Sequence, residues 1–245
     1  MTHRVAKHFL EHDMHRRNLL RSGVVATAGL GLGAVTTAPA SPAEPRRGPL
    51  RVHTVLYDGV EEQDFAGPVE VFGIIERNRL KQTFVTAGGP GRVTTSSGME
   101  IVIRAPWSPR SADVIIVPGG GYGEGSGVSE QIRLGTLPKA LAAARRPGLT
   151  LAGVCTGTML LSAAGLTGGR PCTTHHIAKK ELAEAGGKVV AGRVVDDGDL
   201  VTCGGVTSGI DLALWLVERH YGPHSALLAE EVLEYERRGT VWRAG

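Results

Sequence analysis

Short apolar runs alternate with longer amphipathic stretches from residue 50 to residue 240, and this alternation predicts strands alternating with helices. One run, Val114-Ile115-Ile116-Val117, is apolar at every position, as is typical of a strand covered by helices on both faces of a parallel sheet. The pattern therefore predicts one doubly wound α/β domain over residues 50–240. The predicted strands are 51–57, 82–87, 113–117, 149–152, 188–191, 193–196 and 200–203, with a hairpin over 93–103.

The helices are predicted from 3.6-residue periodicity and from the positions of proline and glycine. Pro68 is expected in the first turn of a helix that ends near residue 79, and Pro138 is expected to kink or break a helix over 129–146. The remaining predicted helices are 158–164, 177–185, 210–220 and 225–237.

The sequence from Leu149 to Ala164 reads LTLAGVCTGTMLLSAA and predicts a strand, a sharp turn and a helix, with Cys155 at the turn. Gly-x-Cys-x-Gly is the thiol counterpart of the Gly-x-Ser-x-Gly nucleophile elbow, in which small residues permit the tight turn. The helix N-terminus that follows is expected to favour the thiolate. The alternative is a structural thiol, since free cysteines are often buried.

A second glycine-rich stretch, Pro118 to Gly123, follows the apolar strand and could approach a ligand closely. It lacks the lysine of a phosphate-binding P-loop. The favoured interpretation is an oxyanion wall made by the N–H groups of Gly120 and Thr156, with Gly121 lining the pocket. A plain turn is the alternative.

Asp64 lies after the first strand, where a carboxylate either caps a helix or acts as an acid–base partner of the thiol. Glu70 is expected on a solvated or packed helix face. His175 and His176 are expected in an extended segment, pointing to opposite faces, so that only His175 is a candidate for the pocket. No metal site is expected, because no carboxylate or cysteine stands at ligand spacing from them.

The charge distribution argues against a nucleic-acid partner. Five of the 27 basic and two of the 24 acidic residues lie in residues 1–43, so the remaining chain is balanced in charge. Aromatic residues make up only 4% of the chain, too few for a base-stacking platform. The two other cysteines, Cys172 and Cys203, are expected to be structural, because their spacing matches neither a zinc site nor a disulfide framework.

The first 43 residues read as a twin-arginine export signal. Arg16-Arg17 precedes a weakly apolar stretch over 23–35 and the small-residue cleavage site Ala38-Pro39-Ala40. The apolar stretch is too short for stable membrane insertion, so an exported protein is expected, with residues 44–49 as a linker. The alternative is a cytoplasmic protein with a basic tail.

Four blocks in this order resemble the ThiJ/PfpI superfamily of the class I glutamine amidotransferase-like fold, and most closely its isonitrile hydratase branch. They read VLYDGVEEQDFAGPVEVF, VIIVPGGGYG, AGVCTGTMLLSAAGLTGGRPCTTHH and VTCGGVTSGIDLAL. The resemblance implies a flavodoxin-like sandwich, usually a homodimer, with Cys155 as nucleophile and Asp64 beside it. It also implies backbone oxyanion donors at Gly120 and Thr156. Peptidase-like members often carry histidine where Thr156 stands, which argues against peptidase activity here.

The resulting hypothesis is cysteine-dependent hydration of a small isonitrile to an N-substituted formamide, without a cofactor. Two alternatives stay open: another enzyme of the superfamily, with glyoxalase-like or amidase-like activity, or a non-enzymatic ligand-binding or stress-response module related to the ligand domains of transcription regulators.

Overall fold

A computed structural model describes residues 48–76 and 78–244, which contain eleven strands and seven α-helices. The strands are β1 (Leu50–Val55), β2 (Leu80–Val85), β3 (Gly91–Thr94), β4 (Glu100–Ile103), β5 (Val114–Val117), β6 (Thr150–Gly153), β7 (Pro171–Cys172), β8 (Lys188–Val189), β9 (Val194–Asp197), β10 (Leu200–Cys203) and β11 (Val241–Arg243). The helices are α1 (Glu62–Ile74), α2 (Gly127–Leu134), α3 (Thr136–Ala144), α4 (Gly157–Ala163), α5 (Lys179–Glu184), α6 (Ser208–Tyr221) and α7 (Pro223–Leu233), with 3₁₀ turns at Pro109–Ser111 and His176–Ala178.

The central sheet has seven strands in the order β2-β1-β5-β6-β10-β9-β11. The five strands from β2 to β10 run parallel, β9 pairs antiparallel with β10, and β11 runs parallel to β9. Strands β3 and β4 form a separate hairpin, and β7 pairs with β8. The predicted doubly wound, mostly parallel, flavodoxin-like sheet is confirmed.

Side chains of the sheet alternate between two apolar layers. In β5, Ile115 and Val117 face the layer that also contains residues of α3 and α4, while Val114 and Ile116 face the layer built with α1, α6 and α7. All four are fully buried. This alternation follows from the two-residue period of a strand, and it explains why a strand covered on both faces is apolar throughout.

Helix α1 begins at Glu62, six residues before the predicted start, so the prediction that Pro68 occupies the first turn was wrong. A proline inside a helix removes one N–H, here the donor to the carbonyl of Asp64. The side chain of Glu61 caps the new N-terminus by accepting the N–H of Asp64 at 2.9 Å. The earlier start places Asp64 on the first helical turn instead of in the preceding loop.

The predicted helix over 129–146 is broken, but at Gly135 and not at Pro138. Gly135 has a φ of +72° and separates α2 from α3, while Pro138 lies in the first turn of α3.

Strand β11 was not predicted and lies beyond residue 240. The export signal and residues 44–47 of the linker lie outside the described residues. Within 48–76 and 78–244, no helix has both the length and the apolar character needed to cross a membrane.

Candidate active site

Cys155 occupies the predicted elbow between β6 and α4. Its φ is +56°, in the left-handed region that residues with a Cβ rarely adopt. The N–H of Cys155 donates to the carbonyl of Gly204 at 3.1 Å, and its carbonyl accepts the hydroxyl of Thr174 at 2.8 Å. Contacts from two other segments thus hold the turn, and the cysteine is only 5% exposed.

The small residue after the elbow is required by a backbone contact. A Cβ on Gly157 would lie 2.0 Å from the carbonyl oxygen of Val117. We therefore expect Gly157→Ala to lower the free energy of unfolding by about 2–4 kcal/mol, because backbone must move to relieve the clash. Urea unfolding measures the effect. Gly73→Ala is the matched control: it is exposed near the end of α1, where a Cβ would meet nothing closer than 4.0 Å. A Gly157→Ala variant as stable as this control would contradict the prediction.

Asp64 is fully buried on the first turn of α1. Its Oδ2 accepts the N–H of Gly119 at 3.0 Å, and its Oδ1 has no hydrogen-bond partner among the described residues. The side chain therefore does not cap the helix, since Glu61 fills that role. A buried carboxyl with an oxygen free of partners is chemically able to accept a proton from a neighbouring group.

The electrostatics couple Asp64 to Cys155. Burial, and then the nearby Glu61, raise the pKa of Asp64 to about 7, while the interaction with the thiol and the N–H of Gly119 act in the opposite direction. Burial and the charge of Asp64 raise the pKa of Cys155 to about 12. The expectation of a thiolate at rest was wrong, because desolvation outweighs the N–H groups of Thr156 and Val206 that face the sulfur. Because the two groups interact, they gain and lose protons as a pair and not independently.

The structure brings the two predicted oxyanion stretches together but gives both N–H groups partners. The N–H of Gly120 donates to Oγ1 of Thr156 at 3.2 Å, and the N–H of Thr156 faces the sulfur of Cys155. A Cβ on Gly119 would lie 2.4 Å from Oγ1 of Thr156 and 2.7 Å from Oδ2 of Asp64, so this loop packs directly on the site. An anion that enters the site would therefore have to share the N–H groups of Gly120 and Thr156 with these partners.

The predicted pocket residues lie at different depths. Gly121 is exposed, with a φ of +74°. His175 is half-buried, and its ring packs on Gly205, where a Cβ would lie 2.1 Å from Cδ2. The prediction that His175 and His176 point to opposite faces was wrong: they enter a 3₁₀ turn, and their ring centroids are 4.3 Å apart. Among residues 48–76 and 78–244, no group of three or more metal-ligating side chains could hold an ion.

Sequence reasoning missed four contributors to the site. Tyr57 donates its hydroxyl to the carbonyl of Pro118 at 2.8 Å, and burial and the charges of Asp64 and Cys155 raise its pKa well above the usual value. The other three are Glu61, Thr174 and Val206, the last with a strained φ of +41°. The elbow motif signals only the nucleophile, so no local pattern marked these neighbours.

The structure places a buried cysteine on a strained strand-to-helix elbow, beside a buried carboxyl, at the carboxyl end of a doubly wound sheet. This arrangement defines an α/β protein with a cysteine at the nucleophile elbow. More specifically, the chain belongs to the DJ-1/PfpI family, whose sequence model matches residues 50–219.

Individual relatives differ in what they do. The chain is 34% identical over 187 residues to the isonitrile hydratase of Pseudomonas putida, covering 76% of this chain and 78% of that protein. It is 29% identical over 184 residues to the HTH-type transcriptional regulator CdhR of Pseudomonas aeruginosa, covering 72% of this chain and 52% of the regulator. A crystal structure of a ThiJ/PfpI family protein from Pseudomonas syringae superposes with a TM-score of 0.69 at 27% identity, covering 84% of each chain.

Proposed function

We propose that this protein hydrates a small isonitrile to an N-substituted formamide. The observation that carries the proposal is the buried pair of Cys155 and Asp64, in which the carboxyl keeps one oxygen without a hydrogen-bond partner and interacts with the thiol. The similarity to an isonitrile hydratase supports this substrate class.

The pair suits the chemistry of an isonitrile, whose terminal carbon must gain both a nucleophile and a proton. Ionised Asp64 takes the thiol proton as the sulfur of Cys155 bonds to that carbon, and it then delivers the proton to the same carbon. The product is a thioimidate. Because the proton is only relayed, a thiol with a raised pKa is compatible with the reaction.

Water completes the cycle. Asp64 accepts a proton from the attacking water, and a tetrahedral adduct forms. The adduct then expels the sulfur of Cys155. Of the two hydrogens of the water, one ends on the former isonitrile nitrogen and the other on the sulfur. The sum is addition of one water to one isonitrile, and the thiol is regenerated. No cofactor enters these steps.

The test is formamide production from a small alkyl isonitrile, followed by chromatography, with the full chain as enzyme. Methylglyoxal and a simple amide serve as rival substrates for glyoxalase-like and amidase-like activity. Turnover of the isonitrile alone would support the proposal. Turnover of a rival substrate without the isonitrile would replace it with another enzymatic function, and turnover of none would favour a ligand-binding role.

The pH dependence of kcat/KM should reflect the ionisation of Asp64 and Cys155. We expect kcat/KM to rise with pH, with unit slope, through about 7, because the base form of Asp64 appears as pH passes its raised pKa. Ionisation of Cys155 should lower kcat/KM only near its pKa of about 12, which is above any usable pH. Rates measured from pH 5 to 9 in buffers of constant ionic strength check this. A flat profile, or a limb centred near 9, would contradict the assignment of the base.

A further inference from the structure

Tyr57 lies just after β1, and its side chain reaches the loop that follows the neighbouring strand β5. The hydroxyl donates to the carbonyl of Pro118 at 2.8 Å, in a buried contact. Burial, with the charges of Asp64 and Cys155, holds the pKa of the phenol well above its usual value, so Tyr57 keeps its proton near neutral pH. The hydroxyl is therefore a hydrogen-bond donor to the loop and not an acid or base of the reaction.

The peptide unit between Pro118 and Gly119 joins Tyr57 to the buried carboxyl of Asp64. Its carbonyl accepts the hydroxyl of Tyr57, and its N–H donates to Oδ2 of Asp64 at 3.0 Å. The unit is trans and planar, so the carbonyl and the N–H point in opposite directions and can turn only together. Fixing the carbonyl therefore fixes the direction of the N–H that the carboxyl accepts.

Main-chain donors hold the other carbonyls of this loop. The carbonyl of Val117 accepts the N–H of Val154 at 3.0 Å, and the carbonyl of Gly119 accepts the N–H of Glu61 at 2.9 Å. Proline has no N–H to add a further contact. The carbonyl of Pro118 is therefore the group in this stretch whose position depends on a side-chain donor.

We propose that Tyr57 is a positioning residue for the proton transfers of Asp64. The hydroxyl holds the peptide between Pro118 and Gly119, and the peptide holds Oδ2 of the carboxyl. Oδ1 keeps no hydrogen-bond partner in the described part of the chain, so it can exchange protons with the thiol of Cys155. The inference rests on the proposed function, because it assigns Tyr57 to that reaction.

The groups that face Asp64 give the direction of the expected pH effect. They are the carboxylate of Glu61, the thiol of Cys155 at the elbow, the thiol of Cys203 at the end of β10 and the phenol of Tyr57. Burial and then Glu61 raise the pKa of Asp64, whereas the thiol of Cys155 and the N–H of Gly119 lower it. Loosening the N–H of Gly119 should therefore raise this pKa further.

The test is Tyr57→Phe, which removes the hydroxyl and keeps the ring. We expect kcat/KM at pH 7 to fall by about 10-fold, through kcat and not KM, because the hydroxyl orients the carboxyl without binding the substrate. The rising limb of the pH profile should move up by at least about 0.5 pH unit. In the Asp64→Asn background the same substitution should cause no further loss, because its effect passes through the carboxyl.

A second measurement needs no substrate. The amide resonance of Gly119 in NMR spectra should titrate with Asp64, with a midpoint near pH 7 in the unaltered protein and at higher pH in Tyr57→Phe. Tyr221→Phe is the matched control, because its hydroxyl also donates to a backbone carbonyl, that of Arg79, but near the start of β1. The control should change neither the titration nor the rate.

Three results would overturn the proposal. One is an amide resonance of Gly119 that stays constant from pH 5 to 9 in the unaltered protein, a result that depends on no variant. Another is a Tyr57→Phe protein whose titration and rate match those of Tyr221→Phe. The third is an equal loss of turnover from Tyr57→Phe with and without Asp64. Failure of isonitrile turnover in the unaltered protein would refute the proposed function alone, since the NMR titration would still decide whether Tyr57 positions the carboxyl.

Discussion

Replacing Cys155 with alanine is expected to reduce isonitrile turnover by at least about 10³-fold, because the covalent intermediate can no longer form. Cys155→Ser should also be nearly inactive, since a hydroxyl is a much weaker nucleophile than a thiol and Asp64 is too weak a base to ionise it. Formamide production under single-turnover conditions measures both. In the unaltered protein, mass spectrometry during the same experiment should detect a thioimidate adduct on Cys155.

The fold should survive these substitutions. The strained φ of +56° penalises alanine no more than cysteine, because both carry a Cβ. Thermal melting followed by circular dichroism checks this, and Cys172→Ala serves as the control for loss of a buried thiol in the opposite layer. If Cys155→Ala folded normally and kept its rate, the carboxyl alone would be doing the chemistry and the proposed mechanism would fail.

Replacing Asp64 with asparagine is expected to lower turnover by about 10²–10⁴-fold, because the amide cannot relay the thiol proton. The same substitution should stabilise the protein. The folded-state pKa of Asp64 is raised from 3.8 to about 7, so the protonated carboxyl is favoured in the fold and the ionised one is penalised. The stability from this group is fully present below pH 3.8 and is lost as pH rises through about 7.

The expected gain in stability depends on pH. A shift of about 3 pKa units corresponds to about 4 kcal/mol, so Asp64→Asn should raise the free energy of unfolding at pH 8 by about 2–4 kcal/mol. At pH 4.5 the gain should be much smaller, because the folded protein holds the carboxyl protonated. Urea unfolding at the two pH values measures the difference. Glu70→Gln, at an exposed position of the same helix, should change neither turnover nor stability.

An Asp64→Asn protein that lost activity and also became less stable at pH 8 would contradict this account. It would indicate that the hydrogen bond from Gly119 to Oδ2 stabilises the fold more than the buried charge destabilises it. Opposite changes in activity and stability are the signature of a group whose burial serves chemistry.

Much of the architecture could be predicted from local pattern. The fully apolar run of β5 indicated a strand covered on both faces, and the small residues around Cys155 indicated an elbow. Both predictions succeeded because short segments encode the choice of strand, tight turn or helix. The start of α1 could not be predicted, because the capping carboxylate of Glu61 outweighed the usual preference of proline for the first helical turn.

The sequence by itself determined the class of fold and the elbow that holds Cys155, and the resemblance to a family named Asp64 as the candidate partner of the thiol. Only the tertiary structure decided the pKa values of the two groups. Burial raises both values, Glu61 raises that of Asp64 further, the charge of Asp64 raises that of Cys155, and no local motif records these effects. The tertiary structure also decided that the segment after β10 adjoins Cys155, where the carbonyl of Gly204 accepts the N–H of the cysteine. The reason is that β6 and β10 are neighbours in the sheet although they are far apart in the chain.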